Sequence, residues 1–330
     1  MQSTKPSPLA VEDGAGTARV LPRPREFATW LTRLWRVGRW GIFGGALVYC
    51  VLALLGTVTY HGTPTGDLLM RDAAAYYYLD TPYDWSDGPG AREFRYSPAF
   101  IWVVAPLRLL PWELFAALWF AAHVGVLLYL RIPWMLAFPG VIDDAVRGNI
   151  NTFLALAVVL IVRRTAAPLW GMFLLTKVTP GVAIVWHLAR REYREFAAAV
   201  AVTAAVVGTG YLVDPQLWSQ WFASLVAGQE TFPATVAQAV PLPLRIALAA
   251  GLSAFAATSG RAWLLPVAVI AAMPGIWPNA FALLVASVAL YKGSRQSVLE
   301  PVAMAERELV PVRVAEGTPV VLNSRSSIRK

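Results

Sequence analysis

Long apolar stretches alternate with short polar ones from residue 41 to residue 290, and this alternation is the main pattern in the chain. The stretches at 41–60, 112–130 and 197–213 are long enough to cross a hydrocarbon core, which takes roughly 20 helical residues. The others are shorter or carry proline, and we predict half-length or broken helices for them, since such helices can line a cavity at membrane depth. These stretches lie at 96–110, 132–141, 153–162, 169–188, 242–257, 262–272 and 281–290.

The pattern predicts an all-α polytopic membrane protein with about nine transmembrane or half-membrane helices. Composition supports this fold class, because 57% of the residues are hydrophobic and only 15% are charged, whereas soluble domains carry about 25% charged residues. The 14 Trp and 11 Tyr suit interfacial belts. The only cysteine, Cys50, lies in an apolar stretch and is interpreted as a buried or lipid-facing side chain.

The net charge of +8 comes from basic residues that cluster in the tails and between apolar stretches. This is the positive-inside pattern rather than a nucleic-acid-binding stripe, so no nucleic-acid partner is expected. We predict a multi-pass protein of the plasma membrane with both termini in the cytoplasm. Its parts are a polar tail and interfacial helix (1–37), a transmembrane domain (38–292) with extracytoplasmic loops at 61–95 and 214–240, and a cytoplasmic tail (293–330).

A lysine interrupts the apolar stretch 169–188, in the sequence Lys177-Val178-Thr179-Pro180. Basic clusters lie on both sides of this stretch, which predicts two half-helices that enter the membrane, break at the lysine and return. An ammonium in lipid costs several kcal/mol unless it faces water or an anion. The sequence leaves two interpretations of Lys177 open, a structural side chain that reaches the interface and a phosphate-binding one.

Two carboxylates follow the first span, in a segment (67–79) of helical composition. At about 100° per residue, Asp67 and Asp72 would point about 140° apart, so they do not form a carboxylate pair. A carboxylate at the end of a span is costly unless it is used. Asp67 is therefore a candidate functional residue, with a salt bridge to Arg71 as the structural alternative.

Further charged residues have two interpretations each. Arg92 and Arg95 lie on the predicted outer side and either bind an anionic head group or are solvated. The adjacent Asp143 and Asp144 either form a turn or hold a cation.

The histidines and the aromatic residues of the second outer loop do not indicate a further active or binding site. The three histidines, His61, His123 and His187, lack metal-ligand spacing, so no metal site is predicted. Trp218, Trp221 and Phe222 have helical spacing in the second outer loop and are interpreted as interface anchors on the surface.

Several short motifs occur in an order that resembles glycosyltransferase family 87, the polyprenol-phosphate-mannose-dependent mannosyltransferases of the GT-C superfamily. The resemblance covers about residues 41–291. The family's usual Gln before the motif Asn is Asn149 here, and its late His is Asn279. The motifs read Asp67, Tyr76-Tyr77-Tyr78 with Pro82-Tyr83, Phe94-Arg95-Tyr96-Ser97-Pro98, Gly148-Asn149-Ile150-Asn151 and Lys177-Val178-Thr179-Pro180.

The resemblance implies a GT-C-type bundle with an extracytoplasmic active-site loop. It implies transfer of a hexose, with inversion, from a polyprenyl-phosphate sugar to a glycolipid or glycan acceptor, with no cofactor. Asp67 is then the general base, and Lys177, Arg95 and Arg92 bind the donor phosphate. The remaining implied residues are Tyr76, Tyr77, Tyr83, Tyr96, Asn149, Asn151 and Trp277 for sugar or lipid, and Asp72 and Asp144 as secondary acids.

Two other function classes remain open from the sequence. A lipid-linked-saccharide transporter would use Lys177 and Asp67 as substrate or ion sites, although no inverted repeat is evident to support it. A non-catalytic subunit of an envelope complex would bury Asp67 against Arg71.

Overall fold

A computed structural model describes residues 24–59, 70–78, 82–83, 94–164, 166–227 and 239–294. Within these ranges the chain forms α-helices joined by short 3-10 helices and contains no strand. The α-helices are α1 (Pro24–Thr59), α2 (Arg71–Tyr77), α3 (Pro98–Val104), α4 (Trp112–Tyr129), α5 (Pro139–Arg147), α6 (Asn151–Arg164), α7 (Trp170–Thr176), α8 (Val185–Ala189), α9 (Tyr193–Val213), α10 (Pro215–Ala227), α11 (Leu242–Thr258), α12 (Leu265–Ala271) and α13 (284–294).

Three helices in the described ranges are long and apolar enough to cross a membrane: α1 over Thr29–Leu55, α4 and α9. A fourth span results if α5 and α6 are taken together, although these helices meet at 115°. Five further apolar stretches are shorter. The all-α membrane fold predicted from the apolar pattern is confirmed, and much of it consists of short, broken helices.

The first helix is longer than the sequence predicts. Instead of a short interfacial helix followed by a separate span, α1 runs for 36 residues without interruption. Proline after the first helical position and turn-forming clusters are absent from residues 25–37, so nothing in the sequence stops the helix before the apolar stretch. Side chains such as Leu52 and Leu55 are exposed along α1, as expected for a face that contacts lipid.

The predicted break at Lys177 is present. Helix α7 ends at Thr176, a 3-10 helix follows at Thr179–Ile184, and α8 completes the segment. Pro180 lacks an N–H and restricts the residue before it, which opposes a continuous α-helix here. The Thr179 hydroxyl donates to the carbonyl of Ala272 at 2.6 Å, which fixes the break against the end of α12.

The prediction that Trp218 and Trp221 anchor a surface helix is wrong. Helix α10 does form, but both indoles are buried, and they pack against Ala99 and Tyr83. Only Phe222 is exposed in this group. Helical spacing identified the helix but not the face on which α10 meets α9 and α3.

Candidate active site

The sharp bend between α5 and α6 is held by a single buried carboxylate. Asp144 accepts four hydrogen bonds: at Oδ1 from the backbone N–H and side-chain amide of Asn151 (3.3 and 2.9 Å), and at Oδ2 from the backbone N–H and hydroxyl of Thr152 (2.8 and 2.7 Å). An anion at a helix N-terminus satisfies free N–H groups and is favoured by the helix dipole. Asp144 therefore caps α6 from the preceding helix, and both of its oxygens are occupied.

The adjacent aspartates do not form the turn that the sequence suggested, since both lie within α5. Asp143 is partly exposed and pairs with Arg147 one turn later, at 2.9 Å. No group of three His, Cys, Asp or Glu side chains suited to a metal occurs in the described part of the chain.

His123, which the sequence left without a role, supports the same bend from α4. Its Nδ1 lies 2.8 Å from the carbonyl of Trp119, and its Nε2 lies 2.7 Å from the carbonyl of Asn149. The Nε2 also lies 3.6 Å from Asp144 Oδ2, so the imidazole connects α4 to the bend.

Gly148 lets the first loop approach the bend. It ends α5 with φ of 70°, and a Cβ built there would lie 2.5 Å from the Cβ of Ala73. Met70, which directly precedes α2, donates its backbone N–H to the carbonyl of Val146 at 2.7 Å. Glycine is required both by the left-handed backbone and by the closeness of α2.

This approach brings Asp72 to the bend, where its carboxylate accepts a hydrogen bond of 2.7 Å from the Asn149 amide. Burial raises the pKa of Asp72, against the opposing effects of the Asn149 hydrogen bond and of the Arg147 and Lys177 charges. Among the secondary acids, Asp144 is fully occupied as a cap, whereas Asp72 has one hydrogen bond to a described side chain.

Lys177 lies on the other side of the α6 N-terminus. Its ammonium donates to Asn151 Oδ1 at 2.8 Å, and the Asn151 amide donates to the backbone carbonyl of Asn279 at 3.1 Å. Because Asn279 contributes its backbone carbonyl, this contact does not depend on the side chain at position 279. The site thus presents a carboxylate and an ammonium on either side of the two asparagines of the Gly-x-x-Asn motif.

An aromatic cluster forms one wall of this region. Tyr76 is buried among Phe94, Phe100 and Trp119, and its hydroxyl lies 3.0 Å from that of Tyr96. The Tyr96 hydroxyl also interacts with the Asn149 side chain. These two tyrosines tie α2 to α3 and α4 and lie inside the wall, so they shape the site from behind its surface.

The other site residues that the resemblance implies have separate contacts and exposures. Tyr83 donates to the backbone carbonyl of Tyr96 at 2.7 Å, and Tyr77 donates to that of Leu110 at 2.8 Å. Trp277 is 42% exposed at the start of a 3-10 helix. Arg95 is partly buried just before α3, whereas Asp67 and Arg92 lie outside the described residues.

Replacing Gly148 with Ala should destabilise the protein and displace α2. Left-handed strain and overpacking together cost about 2 to 5 kcal/mol. Gly260 is the matched control, because it has nearly the same φ of 69° but nothing within 4 Å of a built Cβ, so its Ala variant should lose only about 1–2 kcal/mol. Thermal unfolding in detergent measures both, and equal losses would contradict a close approach of α2.

Replacing Asp144 with Asn should be far more damaging than replacing its neighbour. Asn offers one acceptor oxygen instead of two and leaves donors at the N-terminus of α6 without an acceptor, which costs about 1–3 kcal/mol for each unsatisfied group. Asp143→Asn removes only an i,i+4 surface pair, worth about 0.3–0.5 kcal/mol. Similar unfolding temperatures for the two variants would rule out Asp144 as the support of the bend.

Comparison with known proteins identifies the family. The model of glycosyltransferase family 87 matches residues 94–300, well over half of the chain. The matched region contains α3 to α13 and both asparagines and the lysine of the site, while the first loop with Asp67 and Asp72 precedes it. The searches of curated proteins and of solved structures gave no match. On the family match, this helical membrane protein belongs to glycosyltransferase family 87.

Proposed function

We propose that the protein transfers a hexose, mannose in the first instance, from a polyprenyl-phosphate donor to a hydroxyl of an extracytoplasmic glycolipid or glycan. The observation that carries this proposal is the position of Lys177, held by Asn151 at the N-terminus of α6 and facing a carboxylate across the bend. The first N–H groups of α6 are already capped by Asp144, so the ammonium is the group that would bind the phosphate, as a point charge.

The reaction assigned to the site is a single displacement with inversion. The acceptor oxygen forms a bond to the anomeric carbon while the bond from that carbon to the phosphate oxygen breaks. The electron pair leaves with the polyprenyl phosphate, and the acceptor proton passes to a carboxylate, for which we propose Asp67. Lys177, Arg95 and Arg92 would stabilise the charge that develops on the leaving phosphate, so the reaction requires no cofactor.

The remaining assignments concern the sugar. We assign sugar contacts to the Asn149 amide, which Asp72 already orients. Asn151, whose two amide hydrogens and oxygen all have partners, would act by holding Lys177. Tyr77, Tyr83 and Trp277 would contribute aromatic faces, and Tyr76 and Tyr96 would hold the wall behind them. We propose that the acceptor binds on the outer side of the plasma membrane and that both termini lie in the cytoplasm.

The test is a transfer assay with the purified full-length protein in liposomes. Labelled polyprenyl-phosphate mannose is supplied with a membrane glycolipid extract, and polyprenyl-phosphate glucose and nucleotide-linked mannose serve as comparison donors. We expect label in the acceptor fraction from polyprenyl-phosphate mannose and none from the nucleotide sugar. Transfer from the nucleotide sugar alone would contradict the donor class, and transfer only from the glucosyl donor would contradict mannose.

A further inference from the structure

A second cluster of cationic and N–H groups lies at one end of the bundle and shares no residue with the candidate active site. Here Trp35 of α1 meets Trp134, which lies in the 3-10 helix Pro133–Ala137, edge to face with ring centroids 5.7 Å apart. The ammonium of Lys292, near the end of α13, lies 5.4 Å from the Trp134 ring. Arg39 follows Trp35 by one helical turn and therefore lies on the same face of α1. We call Arg39, Trp134 and Lys292 the basic cluster.

The basic cluster offers donors without acceptors. The Arg39 Nε and the Trp134 Nε1 are buried, and neither has a hydrogen-bond partner within the described part of the chain. Arg39 and Lys292 lie within electrostatic range of each other and repel. No described acidic side chain forms an ion pair with either of them. Buried donors are nearly always satisfied in folded proteins, so this arrangement is suited to an anion.

The level of the basic cluster relative to the membrane indicates which class of anion would bind there. Arg39 is the last charged residue before the charge-free part of α1 (40–59), and Lys292 follows the charge-free part of α13 (284–291). Both charges therefore lie at the same edge of the apolar part of the bundle. Phospholipid phosphates lie at this level in a bilayer, and basic pockets between membrane helices are suited to anionic head groups.

We infer that Arg39, Trp134 and Lys292 form a binding site for the phosphate of an anionic bilayer phospholipid. The two cations supply the charge, the Trp134 N–H supplies a directed hydrogen bond, and the Trp35 and Trp134 rings border the upper acyl chain. The site would hold the α1 and α13 ends together, because the bound phosphate removes the repulsion between Arg39 and Lys292.

The experiment measures lipid binding to the purified full-length protein in a neutral detergent, with fluorescent phosphatidylglycerol and phosphatidylcholine as probes. We expect wild type to prefer phosphatidylglycerol, and the Arg39→Gln/Lys292→Gln variant to lose roughly thirtyfold of that affinity, as two interfacial charges predict. Arg194→Gln, which removes an exposed arginine at the start of α9, is the matched control and should bind like wild type.

A milder variant and a competitor complete the test. Trp134→Phe keeps an aromatic ring and removes the N–H, so it should lose several-fold in affinity for phosphatidylglycerol, with at most a small drop in its unfolding temperature in phosphatidylcholine. Equal affinity of wild type for the two lipids, or an unchanged preference in the double variant, would overturn the inference. Displacement of phosphatidylglycerol by polyprenyl phosphate at lower concentration would also overturn it, because the basic cluster would then be a donor site.

Discussion

The Asp67→Asn variant is expected to transfer sugar about 10²–10⁴ times more slowly than wild type, the range that a general base contributes. The change is nearly isosteric and removes only the proton-accepting charge, so donor binding should be largely retained. Single-turnover transfer in liposomes, with the amount of folded protein checked by size-exclusion chromatography, gives this rate directly.

Asp72→Asn is the matched control for this prediction, because it changes the second carboxylate of the same loop. The introduced amide can still accept the hydrogen bond from Asn149 through its carbonyl oxygen, and the loss of charge weakens that bond by about 1 kcal/mol, a factor of about five to ten in rate. If Asp72→Asn abolishes transfer while Asp67→Asn leaves it intact, then Asp72 is the base and the assignment to Asp67 is wrong.

Lys177→Met should reduce transfer by about 10²–10³, the effect of removing one preorganised group that stabilises charge in a transition state. The Met side chain fills a similar volume but leaves the Asn151 oxygen without its donor, so a loss of about 1–3 kcal/mol of stability is expected. Transfer rate and thermal unfolding are measured on the same preparation.

Lys177→Arg separates charge from geometry. An arginine keeps the cation but places it differently, so partial activity, between that of wild type and Lys177→Met, is expected. A Lys177→Met protein that retains full transfer would contradict the role of Lys177 as a phosphate-binding residue. A loss of stability far above the expected range would instead assign Lys177 to the fold.

The sequence predicted those features of the fold that depend on residues close together in the chain. The apolar pattern predicted helices at membrane depth, and the Lys177–Pro180 motif predicted the break after α7, since proline and a charge both oppose a continuous apolar helix. The resemblance brought Asn149, Asn151 and Lys177 together as site residues. The structure places these three around the N-terminus of α6.

Features that depend on contacts between distant elements were not predictable in this way. Asp144 and Asp143 are identical neighbours in sequence, and only the 115° bend gives one of them four donors and the other a surface pair. His123 lacks any metal spacing, and its role appears only when α4 lies against the Asn149 carbonyl. Trp218 was predicted to lie on the surface but is buried, because helical spacing carries no information on which neighbour packs against it.

The most direct test of the central claim is a cryo-EM structure of the full-length protein with a non-hydrolysable phosphonate analogue of polyprenyl-phosphate mannose. The account predicts the phosphonate within hydrogen-bonding distance of the Lys177 ammonium, at the bend between α5 and α6, with the sugar beside Asn149. A phosphonate bound away from Lys177, for example at Arg39 and Lys292, would contradict the assignment of the bend as the site of transfer.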